Sequence, residues 1–150
     1  MRKISGIFIN GICLEKILED HKNWLNKKND GKRADLSFAD LRDIDLNDAN
    51  LSYADLRNAR LNCANLNHTN LSYADLRNAN LIRANLISAN LISADLSYAD
   101  LRGAYLKNAN LISANLSGAD LSFANLKNSN LREANLISAD LSYADLGDAN

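Results

Sequence analysis

LSYADLRNANLIRANLISANLISADLSYAD, residues 71–100, carries a leucine at every fifth position. The same spacing runs without exception from Leu36 to Leu146. Alanine stands two residues before nearly every one of these leucines, and the exceptions are Ile44, Thr69 and Ser129. The residue just before the leucine is Asp or Asn, and the exceptions are Arg60 and Tyr105. The unit is A-(D/N)-L-x-x, and its strict apolar spacing distinguishes the chain from a disordered low-complexity sequence.

A period of five suits neither an α-helix nor a flat strand. On an α-helix, five residues leave a net rotation of about 140°, so the leucines would share no face. In extended backbone, the Ala and Leu of one unit are two residues apart and point to the same side. If the next two residues make a corner, four units close a square coil of 20 residues. Such coils would stack at about 4.8 Å and turn right-handedly, by extension of the crossover rule.

The repeats therefore predict an all-β solenoid, and residues 34–150 resemble the pentapeptide-repeat family. That resemblance implies a right-handed quadrilateral parallel β-helix, which these repeats would extend over about six coils. It implies that the Leu and the preceding Ala fill the interior and that the other three positions face solvent. The predicted core leucines include Leu36, Leu56, Leu76, Leu86 and Leu96.

Residues 1–33 differ from the repeats, with eight Lys or Arg against four Asp or Glu. Apolar residues at helical spacing predict an amphipathic α-helix that starts at Asn10 or Gly11 and stops at residues 29–31. We expect this helix to cap the first coil, after an extended lead-in that contains Ile4 and Ile9. A helix that binds a partner is the alternative interpretation.

The repeats run to Asn150, part-way through a unit, with no capping segment after them. Because an uncovered coil exposes unpaired backbone, we expect two chains to meet tail to tail there as a homodimer. A monomer with a frayed last coil is the alternative.

Residues 20 apart are expected to stack in rows on the outside of the coils. Three rows are candidate interaction faces: the acidic row Asp35, Asp55, Asp75 and Asp95, the aromatic pair Tyr53 and Tyr73, and the aliphatic pair Ile92 and Ile112. The acidic row could attract a basic partner or simply keep the rod hydrated, and the nearby stack of Arg57 and Arg77 could offset the repulsion within it. A further row, which is all Asn from Asn50 to Asn150, predicts a structural amide ladder.

The composition points away from several functions. The net charge of −1 argues against direct binding of nucleic acid or a membrane surface, and no apolar run approaches the length of a membrane span. Cys13 and Cys63 form no disulfide framework or metal motif, so a cytoplasmic location is expected. No catalytic motif occurs. We expect no catalytic residue, no cofactor and no metal, and therefore no enzyme.

The sequence thus predicts a non-catalytic protein-interaction or scaffolding solenoid whose protein partner is unknown. The family resemblance implies one alternative, because some of its members mimic DNA, bind DNA gyrase and protect it from quinolones. Residues 34–150 carry 14 acidic and 9 basic residues, a net charge of −5. That is a modest acidity for a DNA mimic, and the chain has no helix after its repeats.

Overall fold

The computed structural model describes residues 2–150. Strand β1 spans Phe8–Ile9, strand β2 spans Ile12–Cys13, and helix α1 spans Leu14–Leu25. Strands β1 and β2 pair antiparallel, with Phe8 opposite Cys13 and Ile9 opposite Ile12. From Asp35 onward the described chain pairs with itself through single parallel bridges, one in every five residues.

These bridges join residues 20 apart, from Asp35–Asp55 to Asn125–Asp145. At the first, the Leu36 N–H donates to the Asp55 carbonyl at 2.7 Å, and the Asp55 N–H donates to the Ala34 carbonyl at 3.0 Å. Each coil therefore contains 20 residues in four five-residue sides, and each side contributes one bridge to the next coil. The period of five is the length of one side.

The corner between two sides explains the Asp or Asn of the unit. At the first corner the Asp35 Oδ1 accepts the Ser37 N–H at 3.1 Å, and the Leu36 carbonyl accepts the Ala39 N–H at 3.2 Å. Phe38 lies between them at a φ of 59°. Every fifth residue from Phe38 to Asp148 has a positive φ, and only Gly103 and Gly118 among them are glycine. A short polar side chain thus holds a turn that most residues disfavour.

The all-Asn row is mainly a set of corner residues, which corrects the amide-ladder interpretation. Its Oδ1 atoms at Asn50, Asn70, Asn90, Asn110 and Asn130 each accept the N–H of the residue two positions later. Among the described residues of this row, only Asn90 donates to another member, Asn70, at 3.3 Å. The Oδ1 atoms of this row therefore serve mainly the local turns.

The interior is filled by the leucines and alanines of the unit. From Leu36 to Leu126 no leucine of the unit exposes more than 2% of its surface, and Leu36, Leu56, Leu76, Leu86 and Leu96 are fully buried. The leucines from Leu131 onward are more open, and Leu146 is 42% exposed. The gradient follows from the stacking, because a leucine is fully enclosed only when coils lie on both sides of it.

Some residues of the other three positions are buried as well, contrary to the expectation that all of these face solvent. Asp55 is one, and Ser52 and Ser72 are two more. The hydroxyl groups of the two serines fold back and donate to Asn50 and Asn70 Oδ1, each at 2.8 Å. A small side chain just after the leucine can therefore lie inside the corner.

The start of the chain folds differently from its prediction. Asn10 and Gly11, expected to begin the helix, have φ angles of 50° and 79° and form the two-residue turn between β1 and β2. Consecutive residues with positive φ match the twist of a tight hairpin, and Asn-Gly is its favoured sequence. Helix α1 consequently begins at Leu14.

Helix α1 also ends earlier than predicted, at Leu25 rather than at residues 29–31. The Lys27 N–H donates to the Trp24 carbonyl at 2.9 Å, and the Lys28 N–H donates to the Asn23 carbonyl at 3.0 Å. This is the Schellman pattern, with Lys27 at a φ of 56° in place of the usual glycine. Gly31 instead allows the chain after the helix to pass close to the helix backbone, because a Cβ at Gly31 would lie 2.1 Å from the Trp24 backbone nitrogen.

Helix α1 packs against the start of the repeats. Leu14 and Ile17 belong to the same buried apolar cluster as Leu36. His21 is fully buried, and its Nδ1 accepts the Ala34 N–H at 3.0 Å. Arg2 forms a parallel bridge with Ile44. These contacts bring Trp24 next to the first coils.

Candidate interaction surfaces

The acidic row contains its own cations. Asp35, Asp55, Asp75 and Asp95 are bridged neighbours in consecutive coils. The Asp55 Oδ1 accepts the Arg57 Nε–H at 2.8 Å, and Arg57 Nε also lies 3.6 Å from the Asp75 Oδ2. Arg77 repeats this arrangement one coil further on, with Asp75 and Asp95. Each arginine thus lies between two successive aspartates.

These contacts change the electrostatics of the row. Hydrogen bonds from the Arg57 side chain hold the pKa of Asp55 below its ordinary value, against the opposing effect of burial. At Asp75, partial burial raises the pKa, but the hydrogen bonds from Arg77 outweigh it and the net shift is downward. Only 5% of Asp55 is exposed. The middle of the row is therefore ionised and internally neutralised, not an open negative stripe.

A short sequence motif underlies these pairs. Four D-L-R triplets occur, starting at Asp40, Asp55, Asp75 and Asp100. In all four the arginine bonds both oxygens of its aspartate through Nε and one Nη. The two residues flanking the buried leucine lie side by side on the outside, which suits the planar fork of Arg.

The aromatic pair lies where expected and is larger than expected. The rings of Tyr53 and Tyr73 are stacked, with centroids 4.9 Å apart and planes 6° apart. Trp24 of helix α1 meets Tyr53 edge to face at 6.1 Å. A recess of about 390 Å³ beside them is lined by Trp24, Leu25, Lys27, Lys28 and Tyr53. The sequence alone does not place Trp24 beside this pair, because the position of its ring depends on where α1 begins and ends.

The aliphatic pair is less exposed than the aromatic pair. Ile92 and Ile112 are both half-buried, one coil apart next to the bridged residues Asn90 and Asn110. A second aromatic pair, Phe123 and Tyr143, is stacked at 5.0 Å near the other end of the repeats. The outer surface thus carries separate apolar groups rather than one continuous patch.

Residues 2–150 bring together no group of three or more His, Cys, Asp or Glu side chains that could hold a metal ion. Cys13 and Cys63 are both free thiols. No helix in the described part of the chain has the length and apolarity needed to cross a bilayer.

The repeats match a known protein family. A family model for pentapeptide repeats matches in eight copies, over residues 32–62, 59–97, 89–122 and 114–150. The chain is similar to the crystal structure of HetL, a pentapeptide repeat protein involved in heterocyst differentiation regulation from the cyanobacterium Nostoc sp. strain PCC 7120. The identity is 38%, the match covers 80% of this chain and 71% of HetL, and the TM-score is 0.45.

Two other solved structures are similar. A pentapeptide repeat protein from the thylakoid lumen of Arabidopsis thaliana is 32% identical, with 67% of each chain covered and a TM-score of 0.46. Full-length QnrB1, a plasmid-mediated fluoroquinolone resistance protein, is 18% identical, with coverage of 79% of this chain and 78% of QnrB1 and a TM-score of 0.43. A comparison with curated protein sequences yields no significant match.

Proposed function

Because this chain belongs to the pentapeptide-repeat family, we propose that it is a non-catalytic solenoid that binds or scaffolds other proteins. The observation that carries this proposal is the outward aromatic group formed by Trp24, Tyr53 and Tyr73. Neighbouring exposed apolar side chains on a protein surface mark sites of interaction. The filled interior supports the same conclusion, since it offers no cleft for chemistry.

The aromatic group is a better candidate than the acidic row. Its rings are exposed, and the stacking of Tyr53 on Tyr73 holds these two rings in place. The carboxylates of Asp55 and Asp75 are instead bonded to Arg57 and Arg77, so a basic partner would have to displace these arginines. Ile92 and Ile112 rank between the two, being apolar but half-buried.

Affinity capture with surface variants tests this proposal. We expect Tyr53→Ser with Tyr73→Ser to lose a captured protein that the unchanged chain retains, because its contact area is removed. Ile92→Ser with Ile112→Ser tests the second face in the same way. Tyr105→Asn is the matched control, since it removes an exposed tyrosine elsewhere and restores the Asp or Asn of the unit. A captured set that is identical for all three variants would contradict the proposal.

The alternative function is a DNA-mimicking modulator of DNA gyrase that makes no direct contact with nucleic acid. The net charge of −5 in residues 34–150 favours it, and the arginines within the acidic row weigh against it. The test is a gyrase supercoiling assay with and without a quinolone. Inhibition or drug protection that disappears on replacing Asp55, Asp75 and Asp95 with Asn would put this function in place of the first. An unchanged assay at the same protein concentrations would exclude it.

We also propose the finer architecture that this function needs. Residues 34–150 would form about six right-handed coils, and residues 1–33 would cap the first of them through α1. The contacts of Leu14, Ile17 and His21 with the start of the repeats support the cap. Free thiols at Cys13 and Cys63 suit a cytoplasmic location. No membrane contact is part of the proposal.

A tail-to-tail homodimer is the assembly that we propose. Its support is the exposure of Leu146 and the partial exposure of Leu131, Leu136 and Leu141, which a second copy would cover. Light scattering should give the mass of two chains, and Leu146→Asp should reduce it to one. A single-chain mass for the unchanged protein would rule the dimer out.

A further inference from the structure

One corner of the coils has an open layer between two large side chains. Residues 83, 103 and 123 follow one another at this corner, and they are Arg83, Gly103 and Phe123. The Gly103 N–H donates to the Ser122 carbonyl at 2.9 Å, which places Gly103 in the layer next to Phe123. Arg83 and Phe123 are thus two coils apart, about 9.6 Å along the axis. Gly103 puts no side chain between them.

The same column shows what fits in such a layer. On its far side Phe123 stacks on Tyr143, with centroids 5.0 Å apart and planes 11° apart. A ring held above Gly103 would therefore meet the free face of Phe123 at the spacing that the coils already impose. A recess of about 440 Å³ is present here, lined by Ile82, Arg83, Arg102, Gly103 and Phe123.

The other corner glycine provides an internal contrast. A Cβ at Gly118 would lie 2.7 Å from two ring carbons of Tyr98, so the protein's own tyrosine already covers that layer. A Cβ at Gly103 would meet only the Arg83 Cγ, at 3.7 Å, an ordinary contact. Of two corners with the same backbone conformation, one is filled by an aromatic ring and the other is open.

The charges around the open layer select its occupant. Arg102 is held by Asp100, with its Nε at 2.8 Å and its Nη2 at 2.7 Å, and it lies 3.8 Å from Asp120. Among residues 2–150, no carboxylate lies within 4.0 Å of the Arg83 side chain. One uncompensated cation suits a single carboxylate. A phosphate monoester, with a charge of about −2, would leave a negative charge close to Asp100 and Asp120.

We infer that the recess at Gly103 binds an aromatic side chain of a partner protein, flanked by an acidic residue. The aromatic ring enters the open layer and stacks on Phe123, and the acidic residue pairs with Arg83. Ile82, which is half-buried, contacts the edge of the ring. This inference rests on the proposed binding function, and it gives the chemistry of the segment that is recognised.

The test is a titration of the nitrogen-15-labelled full chain with a capped Gly-Glu-Tyr-Gly-Gly peptide, which carries a single carboxylate, followed by NMR. We expect the Gly103 and Phe123 amide signals to shift with a Kd of about 1–10 mM, because partial burial of one ring, its stacking on Phe123 and one exposed ion pair together support only weak binding. A peptide with Leu in place of Tyr should bind at least about fivefold more weakly. Binding of AMP more tightly than the tyrosine peptide would overturn the assignment to a protein segment.

Two variants and one control make the result specific. Gly103→Asn fills the layer, and Asn occupies the same corner conformation at Asn108, so we expect a folded protein that no longer binds. Arg83→Gln should weaken binding about threefold. Ser88→Asn adds the same side chain at another corner and should leave binding unchanged. Equal binding by Gly103→Asn, or no shifts in the unchanged chain, would refute the site. Either result is distinguishable from a failure of the proposed binding function, because the affinity-capture test of that function uses Tyr53→Ser with Tyr73→Ser, which lie in a different column.

Discussion

The repeats and the segment before them are built on opposite principles. In residues 34–150 one interior pattern is repeated, and every corner adopts the same backbone conformation whatever its residue. In residues 2–33 the hairpin turn depends on its own residues, Asn10 and Gly11, which favour its positive φ angles. The difference teaches that a strong periodic core can impose a conformation, whereas a single turn must obtain it from local chemistry.

The largest expected effect comes from breaking the periodic core. Leu86→Arg places an unpaired charge at a position with no exposed surface, and we expect a loss of more than about 4 kcal/mol, enough to prevent folding. Thermal melting followed by circular dichroism is the measurement. Ile137→Arg, at a position that is 72% exposed and has no positive φ, is the control and should change stability by less than about 0.5 kcal/mol. A soluble Leu86→Arg protein with unchanged melting would disprove the interior assignment.

The second effect concerns polar residues that replace the alanine of the unit. Thr69 Oγ1 donates to the Leu46 carbonyl at 2.9 Å inside the coil, whereas the buried Ser129 Oγ has no hydrogen-bond partner among the described residues. Thr69→Val should therefore lose about 1 kcal/mol, and Ser129→Ala should gain about 1 kcal/mol. Chemical denaturation measures both, with the exposed Ser138→Ala as the neutral reference. Changes of the same sign at Thr69 and Ser129 would contradict this contrast.

The third effect tests the junction between the two regions. Burial lowers the pKa of His21, a nearby backbone group of Ser52 opposes this shift, and Arg33 adds to it. The folded chain therefore keeps His21 neutral, with Nδ1 free to accept the Ala34 N–H. As the pH falls below about 6.5, only the unfolded chain takes up the proton, so stability should fall until the lower folded-state pKa is passed.

The measurement for His21 is the melting temperature between pH 7.5 and 5. His21→Gln keeps an acceptor for the Ala34 N–H and has no titration, so its melting temperature should lose this pH dependence. His68→Gln, at a position outside the buried cluster, is the control and should retain it. A pH profile of His21→Gln that matches the unchanged chain would assign the effect to other groups.

The smallest expected effect concerns the local turns of the first segment. Lys27→Gly should gain about 0.5–1 kcal/mol, because glycine adopts a φ of 56° without strain. Gly11→Ala, at a φ of 79° in the hairpin, should lose about 1 kcal/mol. Lys28→Gly lies next to Lys27 but has no positive φ, and it should be neutral or slightly destabilising. Equal gains for Lys27→Gly and Lys28→Gly would show that the left-handed conformation is not the cause.

The five-residue period alone was sufficient to place the buried leucines and the 20-residue coil, because Ala and Leu two apart permit few backbones. The predicted start of the helix was wrong because Asn10-Gly11 can be interpreted either as a helix start or as a hairpin turn, and the chain forms the hairpin turn there. The end of α1 was predicted too late because the left-handed residue after the helix, which is usually glycine, is Lys27.

The candidate faces were less predictable than the coil. Rows of residues follow from the 20-residue step, so the stacking of Tyr53 on Tyr73 could be foreseen. Arg57 and Arg77 could be placed near the acidic row, but the paired hydrogen bonds of Arg57 to Asp55 could not be predicted, because they depend on the side-chain conformation of Arg57. The open layer at Gly103 was also missed, since a glycine in the sequence does not show whether a neighbouring ring covers it, as Tyr98 does at Gly118.

The 20-residue step between bridged residues also governs how the gene for such a protein can change in length. Loss or duplication of twenty codons removes or adds one whole coil and leaves every column of side chains in line. Loss of five codons keeps the core unit intact but turns everything after it by one corner. Deleting residues 106–110 would move Phe123 into the column of Tyr98 and would remove the open layer. The fold therefore tolerates insertion or deletion of any whole five-residue unit. The arrangement of side chains on the surface is preserved only when twenty residues are inserted or deleted.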